Sequence, residues 1–231
     1  MAIDTTYRSN EDEIMDDFSI QGKELEDALQ KITRINQFLG GYTVTTNGVK
    51  VLLEDFPIDS PVTIVDIGCG DGSVLKKLSK YNPNFKLIGI DANPFTIECA
   101  LNNSKKNTIQ YKTMDVFSTP FEDLDYDIAL LTLTLHHFSD EQIVKLLKTI
   151  KSKARIGIVI NDLQRSKLAY RLFQGICSIF RIGHMPREDG LTSILRGFKR
   201  EDLENYSKVL DLPDYRIRWR WAFRWQWIIR T

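Results

Sequence analysis

The chain has 231 residues, enough for one full α/β domain and an extension. Lys plus Arg and Asp plus Glu both number 31, so the formal net charge is zero and no global field draws the molecule to nucleic acid or to an anionic membrane. The three cysteines, Cys69, Cys99 and Cys177, are too widely spaced for a disulfide framework or a zinc site, which fits a reducing, cytoplasmic setting.

The acidic, polar first 18 residues lack the charged start and apolar core of a signal peptide, and no apolar run is long enough to span a membrane. Residues 1–60 read as helical. Leu25, Ala28, Leu29, Ile32, Ile35, Phe38 and Leu39 recur at spacings of three and four, one face of an amphipathic helix that Gly40-Gly41 ends. A second short helix is expected over 48–55, before Pro57. These 60 residues, together with an insert after the fifth strand, are expected to form a lid, with 61–231 as the main domain.

From Val62 the texture changes. VTIVDI, KLIGIDA, IQYKTM, YDIALL and RIGIVIN are short apolar runs, and SVLKKLSKY, PFTIECALNN and DEQIVKLLKTI alternate with them as helices. This alternation implies a parallel sheet covered on both faces, with right-handed crossovers. An insert at about 163–198 starts as a helix and is expected to loosen into a loop around Gly183, Pro186 and Gly190. The helix KREDLENYSKVL follows. In YRIRWRWAFRWQWIIR the period is two, which predicts two antiparallel strands turning near Ala222.

The stretch VDIGCGDGS asks for a ligand. Gly68, Gly70 and Gly72 lie between a strand and a helix, where doubly wound folds bind theirs. The spacing G-x-G-x-G departs from the dinucleotide fingerprint G-x-G-x-x-G, and no Gly-Lys-Ser/Thr makes it a P-loop. The loop resembles motif I of class I S-adenosylmethionine-dependent methyltransferases, and the resemblance runs on in order over about 170 residues. It implies a Rossmann-like seven-stranded sheet closed by a terminal hairpin. It also implies S-adenosylmethionine as cofactor, leaving as S-adenosylhomocysteine. Gly68, Cys69 and Gly70 match the loop itself. Asp91, with Ala92 beside it, matches the acid that accepts both ribose hydroxyls. Asp115 and Val116 match the adenine contacts, and Thr132 the residue against the methionine portion. The N-terminal part, NDLQRSKLAYRLF and LRGF resemble more loosely a bacterial subfamily of small-molecule methyltransferases of polyketide and quinone pathways. That implies O-methylation of a phenolic, quinone-like or polyketide acceptor, an in-line displacement in which the protein mainly positions the partners.

His136 and His137 follow the fourth strand, where this fold exposes its active site. Either or both act as base or orienter, or one packs locally while the other is solvated; His137 is the choice for base. No metal ligand set is assigned, adjacent histidines being poor chelators on one face. Asn161, Asp162 and Arg165 follow the fifth strand at the same sheet edge: either they touch substrate, or Asp162 or Asn161 caps the next helix. Tyr170, Phe173, Ile176 and Phe180 form a stripe that is either core or the wall of an acceptor pocket. Cys69 is read as a small filler, and His184 as solvated. The Arg/Trp hairpin is read as packing rather than as an RNA platform. The expected partner is therefore a small molecule, with no nucleic acid and no membrane span, in a monomer or homodimer. The competing readings are an RNA or protein methyltransferase and a non-catalytic cofactor-binding protein.

Overall fold

The structure, a computed structural model, describes residues 3–57, 60–104, 108–180 and 182–231. Of the predicted extension, Met1, Ala2, Ile58 and Asp59 lie outside the described residues, as does Arg181 of the insert.

Among the described residues seven strands form one sheet. Five are parallel: β1 (Thr63–Ile67), β2 (Lys86–Asp91), β3 (Ile109–Thr113), β4 (Ile128–Thr132) and β5 (Gly157–Leu163). The hairpin β6 (Tyr215–Arg220) and β7 (Arg224–Arg230) closes the sheet, with β7 antiparallel to both β5 and β6. The spatial order is β3-β2-β1-β4-β5-β7-β6. The chain winds one way from β1 to β2 and returns to the other side at β4. The crevice outside the carboxyl ends of β1 and β4 is thus the topological switch point, where open α/β sheets bind ligands.

The β-branched runs of β1 and β4 are buried on both faces, as strands covered by helices on each side must be. On one face Val65, Ile67, Leu131 and Trp227 pack with Ile143, Leu146 and Ile150 of α6 (Asp140–Lys153) and Leu203 of α9 (Arg200–Val209). On the other, Ile64 and Leu130 pack with Leu75 and Leu78 of α3 (Ser73–Tyr81) and Val49 and Leu52 of α2 (Gly41–Leu52). The remaining helices are α1 (Lys23–Phe38), α4 (Pro94–Asn102), α5 (Thr119–Glu122), α7 (Lys167–Ile179) and α8 (His184–Arg196).

Three sequence expectations need correction. Residues 3–22 are irregular, with one short 3-10 turn at Ile14–Asp16, and α1 begins only at Lys23. The second helix starts at Gly41 and runs through Gly48, instead of spanning 48–55. A Cβ at Gly48 would lie 2.4 Å from Val159 Cγ1, so the glycine lets α2 sit directly on β5. That contact offsets the roughly 1 kcal/mol that an interior glycine costs a helix. The insert is two helices, not a helix and a loop. Gly183 caps α8, Pro186 falls in its first turn, and Gly190 lies where a Cβ would be 2.4 Å from the Phe173 ring. Pro and Gly thus mark a helix start and a close helix crossing.

The predicted lid also divides. α2 belongs to the core, with Val49 and Leu52 fully buried. Residues 3–39 instead lie across the carboxyl edge of the sheet. Of the apolar stripe on α1 only Leu25 and Ala28 are buried, while Leu29 and Ile32 are half-buried and face a cavity.

Candidate active site

The carboxyl ends of β1, β2 and β4 open into a cavity of about 760 Å³. Its floor is the glycine loop and Asp91; Leu25, Leu29 and Ile32 of α1 roof it, and Met15, Phe18, Phe117 and Phe138 add apolar wall. The volume lies in the range of cofactor and small-molecule sites.

The loop after β1 holds its shape through glycine. Gly68 has φ 67°, and a Cβ there would lie 2.6 Å from the Thr134 side chain. Gly70 has φ 53° with no atom within 4 Å of a built Cβ, so the backbone stands open to whatever enters. Asp91, at the end of β2, accepts from the Gly70 amide at 3.1 Å and from the Asn93 amide at 3.0 Å. Burial pushes its carboxyl above the ordinary range, against the pull of those two amides. Asp66 is buried, and its Oδ1 has no hydrogen-bond partner among the described residues. Burial, then the neighbouring Asp91 and Asp71, hold its pKa well above normal. A floor of three acids with an orphaned oxygen suits a ligand that brings hydroxyl donors and a positive charge.

After β4, Leu133 is held at φ 56°, its amide bonded to the Asn161 carbonyl, and a short 3-10 turn, Leu135–His137, follows. The two imidazoles stack with centroids 4.3 Å apart. His136 is 2% exposed. Its Nδ1 lies 2.6 Å from Asp162 Oδ1, and its Nε2 lies 3.3 Å from Glu13 Oε1. Burial alone would lower the His136 pKa, but Asp162 and Glu13 outweigh it and push it up to about 10. Conversely, burial would raise Asp162 and Glu13, yet His136 holds both carboxyls below their ordinary values. His137 is more open and lines the cavity, with Nδ1 2.6 Å from Asp16 Oδ1. The Asp16 carboxyl, which burial would raise, is held at about 2, chiefly by His137. Arg196 of α8 pins the assembly: it donates to the carbonyls of His136 (3.1 Å), His137 (2.6 Å) and Glu11 (3.0 Å) and to Asp16 (2.7 Å).

Residues 64–157 match a family model described as a methyltransferase domain. Over these residues the chain carries a methyltransferase domain. The tRNA U34 carboxymethyltransferase of Campylobacter lari is 32% identical over 102 residues, 43% of this chain and 34% of that protein. Isoflavone-7-O-methyltransferase 6 of Medicago sativa is 33% identical over 115 residues, 49% of this chain and 29% of that protein. The matches thus span about a third of each curated relative's length. Among solved structures, plantazolicin methyltransferase in complex with SAH and a substrate analogue superposes with a TM-score of 0.65 at 20% identity, covering 89% of this chain and 88% of that one. Human N-acetylserotonin methyltransferase with SAM gives a TM-score of 0.59 at 18% identity, covering 94% and 61%.

The predicted cofactor residues come together. Gly68, Cys69, Gly70, Asp91, Ala92, Asp115, Val116 and Thr132 all line the one cavity. Thr132 Oγ1 also meets Thr45 Oγ1 at 2.9 Å, which ties α2 to the methyltransferase domain's floor. Cys69 is buried, and burial then Asp91 push its thiol pKa well up, so it is a filler rather than a nucleophile.

The predicted substrate residues do not line the cavity. Asn161 is fully buried and donates to the Gly41 carbonyl and to Thr45 Oγ1. Arg165 is 4% exposed, bonded to the carbonyls of Thr5 and Gly197 and paired with Asp202 at 3.0 Å. Tyr170 lies on α7, outside the lining, and so does the stripe around it: Phe173 packs on Gly190, and Phe180 is 71% exposed. Asp162 is not a helix cap but the partner of His136. His184 begins α8.

Glu13, Asp16 and Arg196 went unread in the sequence. The first two sit in a stretch whose acidity reads as solvated surface, and nothing local says that it folds onto residues more than a hundred positions away. Glu13, His136 and His137 also bring ligand-capable atoms within 4.8 Å of one another. In each imidazole Nδ1 is already held by a carboxylate, and the Arg196 guanidinium supplies a neighbouring cation.

Proposed function

We propose that the protein methylates a small, largely apolar acceptor at a phenolic or enolic oxygen, using S-adenosylmethionine. The observation that carries this reading is the His137–Asp16 pair on the wall of a cavity roofed by apolar side chains. The cavity lining fits the cofactor: Asp91 would offer its carboxylate to the ribose hydroxyls, Asp115 and Val116 would take the adenine end, and the buried Asp66 oxygen, without a hydrogen-bond partner among the described residues, adds an acceptor to the same cavity. When bound, the cofactor supplies a methyl group already activated by its sulfonium charge.

The chain's own residues supply the rest. Asp16 accepts the Nδ1 proton of His137 and so leaves Nε2 as the basic nitrogen. His137 Nε2 would take the acceptor's hydroxyl proton, so that the oxygen could displace the methyl group from sulfur, the carbon–sulfur bond breaking and neutral S-adenosylhomocysteine leaving. Asp162 and Glu13 hold the His136 ring, against which His137 stacks, and so position the base. Leu29 and Ile32 keep water out and favour a flat, apolar acceptor. Tyr170, Asn161 and Arg165 have no direct part.

The test is methyl transfer from labelled cofactor to a panel of phenolic lipids, quinols and polyketide-type enols, run beside total tRNA and a protein extract. Label in the small-molecule fraction, lost in His137→Ala, supports the proposal. Label confined to tRNA would favour the RNA reading that the likeness to the tRNA enzymes brings.

A further inference from the structure

The net charge of zero hides a local imbalance. α7 and the hairpin segment 215–231 carry no acidic residue, yet α7 contributes Lys167 and Arg171 and the hairpin Arg216 and Arg218, all four exposed. None of the four forms an ion pair among the described residues.

The same elements expose apolar side chains that a solvated surface does not call for. Leu168 is 57% exposed, Leu172 49%, Ile179 76% and Phe180 71%. Leu168, Leu172 and Ile179, at spacings of four and seven, share one face of α7, while Ala169, Phe173 and Cys177 pack inward. Lys167 and Arg171 run alongside as a basic stripe. At the start of α7 the hairpin turn joins in: Trp219 Nε1 donates to Gln164 Oε1 at 2.9 Å, and Trp219 and Trp221 are 46% and 67% exposed.

We propose that α7 and the β6–β7 turn form a docking face for the surface of an anionic phospholipid bilayer. Aliphatic and tryptophan side chains beside unpaired lysine and arginine are the composition of an interfacial anchor. The apolar groups enter the headgroup boundary and the cations meet lipid phosphate. A single-stranded RNA would use the tryptophans as stacking platforms but leaves Leu168, Leu172 and Ile179 without a role. A second copy of the chain would bury the apolar face but leaves the basic stripe to be matched.

The experiment is sedimentation of the full chain with vesicles of phosphatidylglycerol and phosphatidylcholine, and with phosphatidylcholine alone. Partition at least about tenfold stronger to the anionic vesicles, weakening as salt rises, is expected from the exposed Lys167 and Arg171 of α7, Arg216 and Arg218 lying on the other face of β6 from Trp219. Leu172→Glu with Phe180→Glu should abolish it. Lys167→Glu with Arg171→Glu should abolish the preference for anionic lipid, and these exposed changes leave the core untouched. Both variants should keep the melting temperature and SAH affinity of the parent, readouts that do not depend on the proposed acceptor. No partition, or partition that both variants retain, overturns the proposal. So does a concentration-dependent dimer, or tRNA binding without vesicle binding, that Leu172→Glu with Phe180→Glu abolishes.

Discussion

His136 Nδ1 lies 2.6 Å from Asp162 Oδ1 in a site that water does not reach, and Glu13 closes the other side of the ring. A buried imidazolium between two carboxylates is stabilising only while all three are charged. Removing the cation leaves two uncompensated charges. His136→Ala should therefore cost about 3–5 kcal/mol, the scale of breaking a buried pair, measured by urea unfolding.

The same trio sets a pH dependence. His136 has a folded pKa near 10 against an ordinary 6.5, so its contribution is complete below about 6.5 and is lost as pH rises towards 10. Asp162 and Glu13 are lowered in the fold, so theirs is present above the ordinary carboxylate range and lost as pH falls through the folded values. Thermal stability should peak between these limits. In Asp162→Asn the alkaline decline should be smaller and should end at lower pH, because the folded pKa of His136 falls while its unfolded one does not, and a series of melting curves from pH 5 to 10 would reveal it.

Asp91 is expected to hold the cofactor ribose. Asp91→Ala should weaken S-adenosylmethionine binding by about 2–3 kcal/mol, the worth of charge-assisted hydrogen bonds. Its carboxyl is raised in the free protein, and hydroxyl donors favour the ionised form. Binding should thus release protons and tighten as pH rises. Calorimetry in buffers of different ionisation heat measures both, and an unchanged affinity in the alanine variant would refute the role.

His137→Ala should lower methyl transfer by about a hundredfold to ten-thousandfold, the range of general-base catalysis, without changing cofactor affinity. Asp16→Asn should reproduce part of that loss, because the amide offers Nδ1 a weaker partner. Equal rates in both variants and the parent would leave proximity as the whole of the mechanism.

Deleting residues 1–20 removes Glu13 and Asp16 but leaves α2 in the core. Such a protein should still fold, less stably, and bind cofactor, with turnover lost because the base is unsupported and the cavity open. Deletion to residue 60 is a different experiment: it also strips Val49 and Leu52 from the sheet, and loss of fold is the expected result.

The sheet was legible because short apolar runs and glycine turns are local signals, and each residue expected to touch the cofactor sits at a fixed place relative to a strand end. Gly48 and Gly190 misled because their meaning is tertiary: each marks a close approach of a side chain, Val159 or Phe173, invisible along the chain. Arg165 and Asn161 stood at the right sheet edge, but adjacency to a strand end does not say which way a side chain turns. Glu13 and Asp16 carry no local pattern, since their partners come from distant segments.

That distance has a kinetic meaning. The bonds that dock the N-terminal segment join residues 188 apart for Arg8 and Arg196, 180 apart for Glu13 and Ser193, and 121 apart for Asp16 and His137. Loops of that length are among the last to close in folding. During synthesis the segment emerges some 180 residues before its partners at Ser193 and Arg196. The cavity therefore acquires its supported base only once residues 193–196 have been made, after the segments that carry the glycine loop and Asp91.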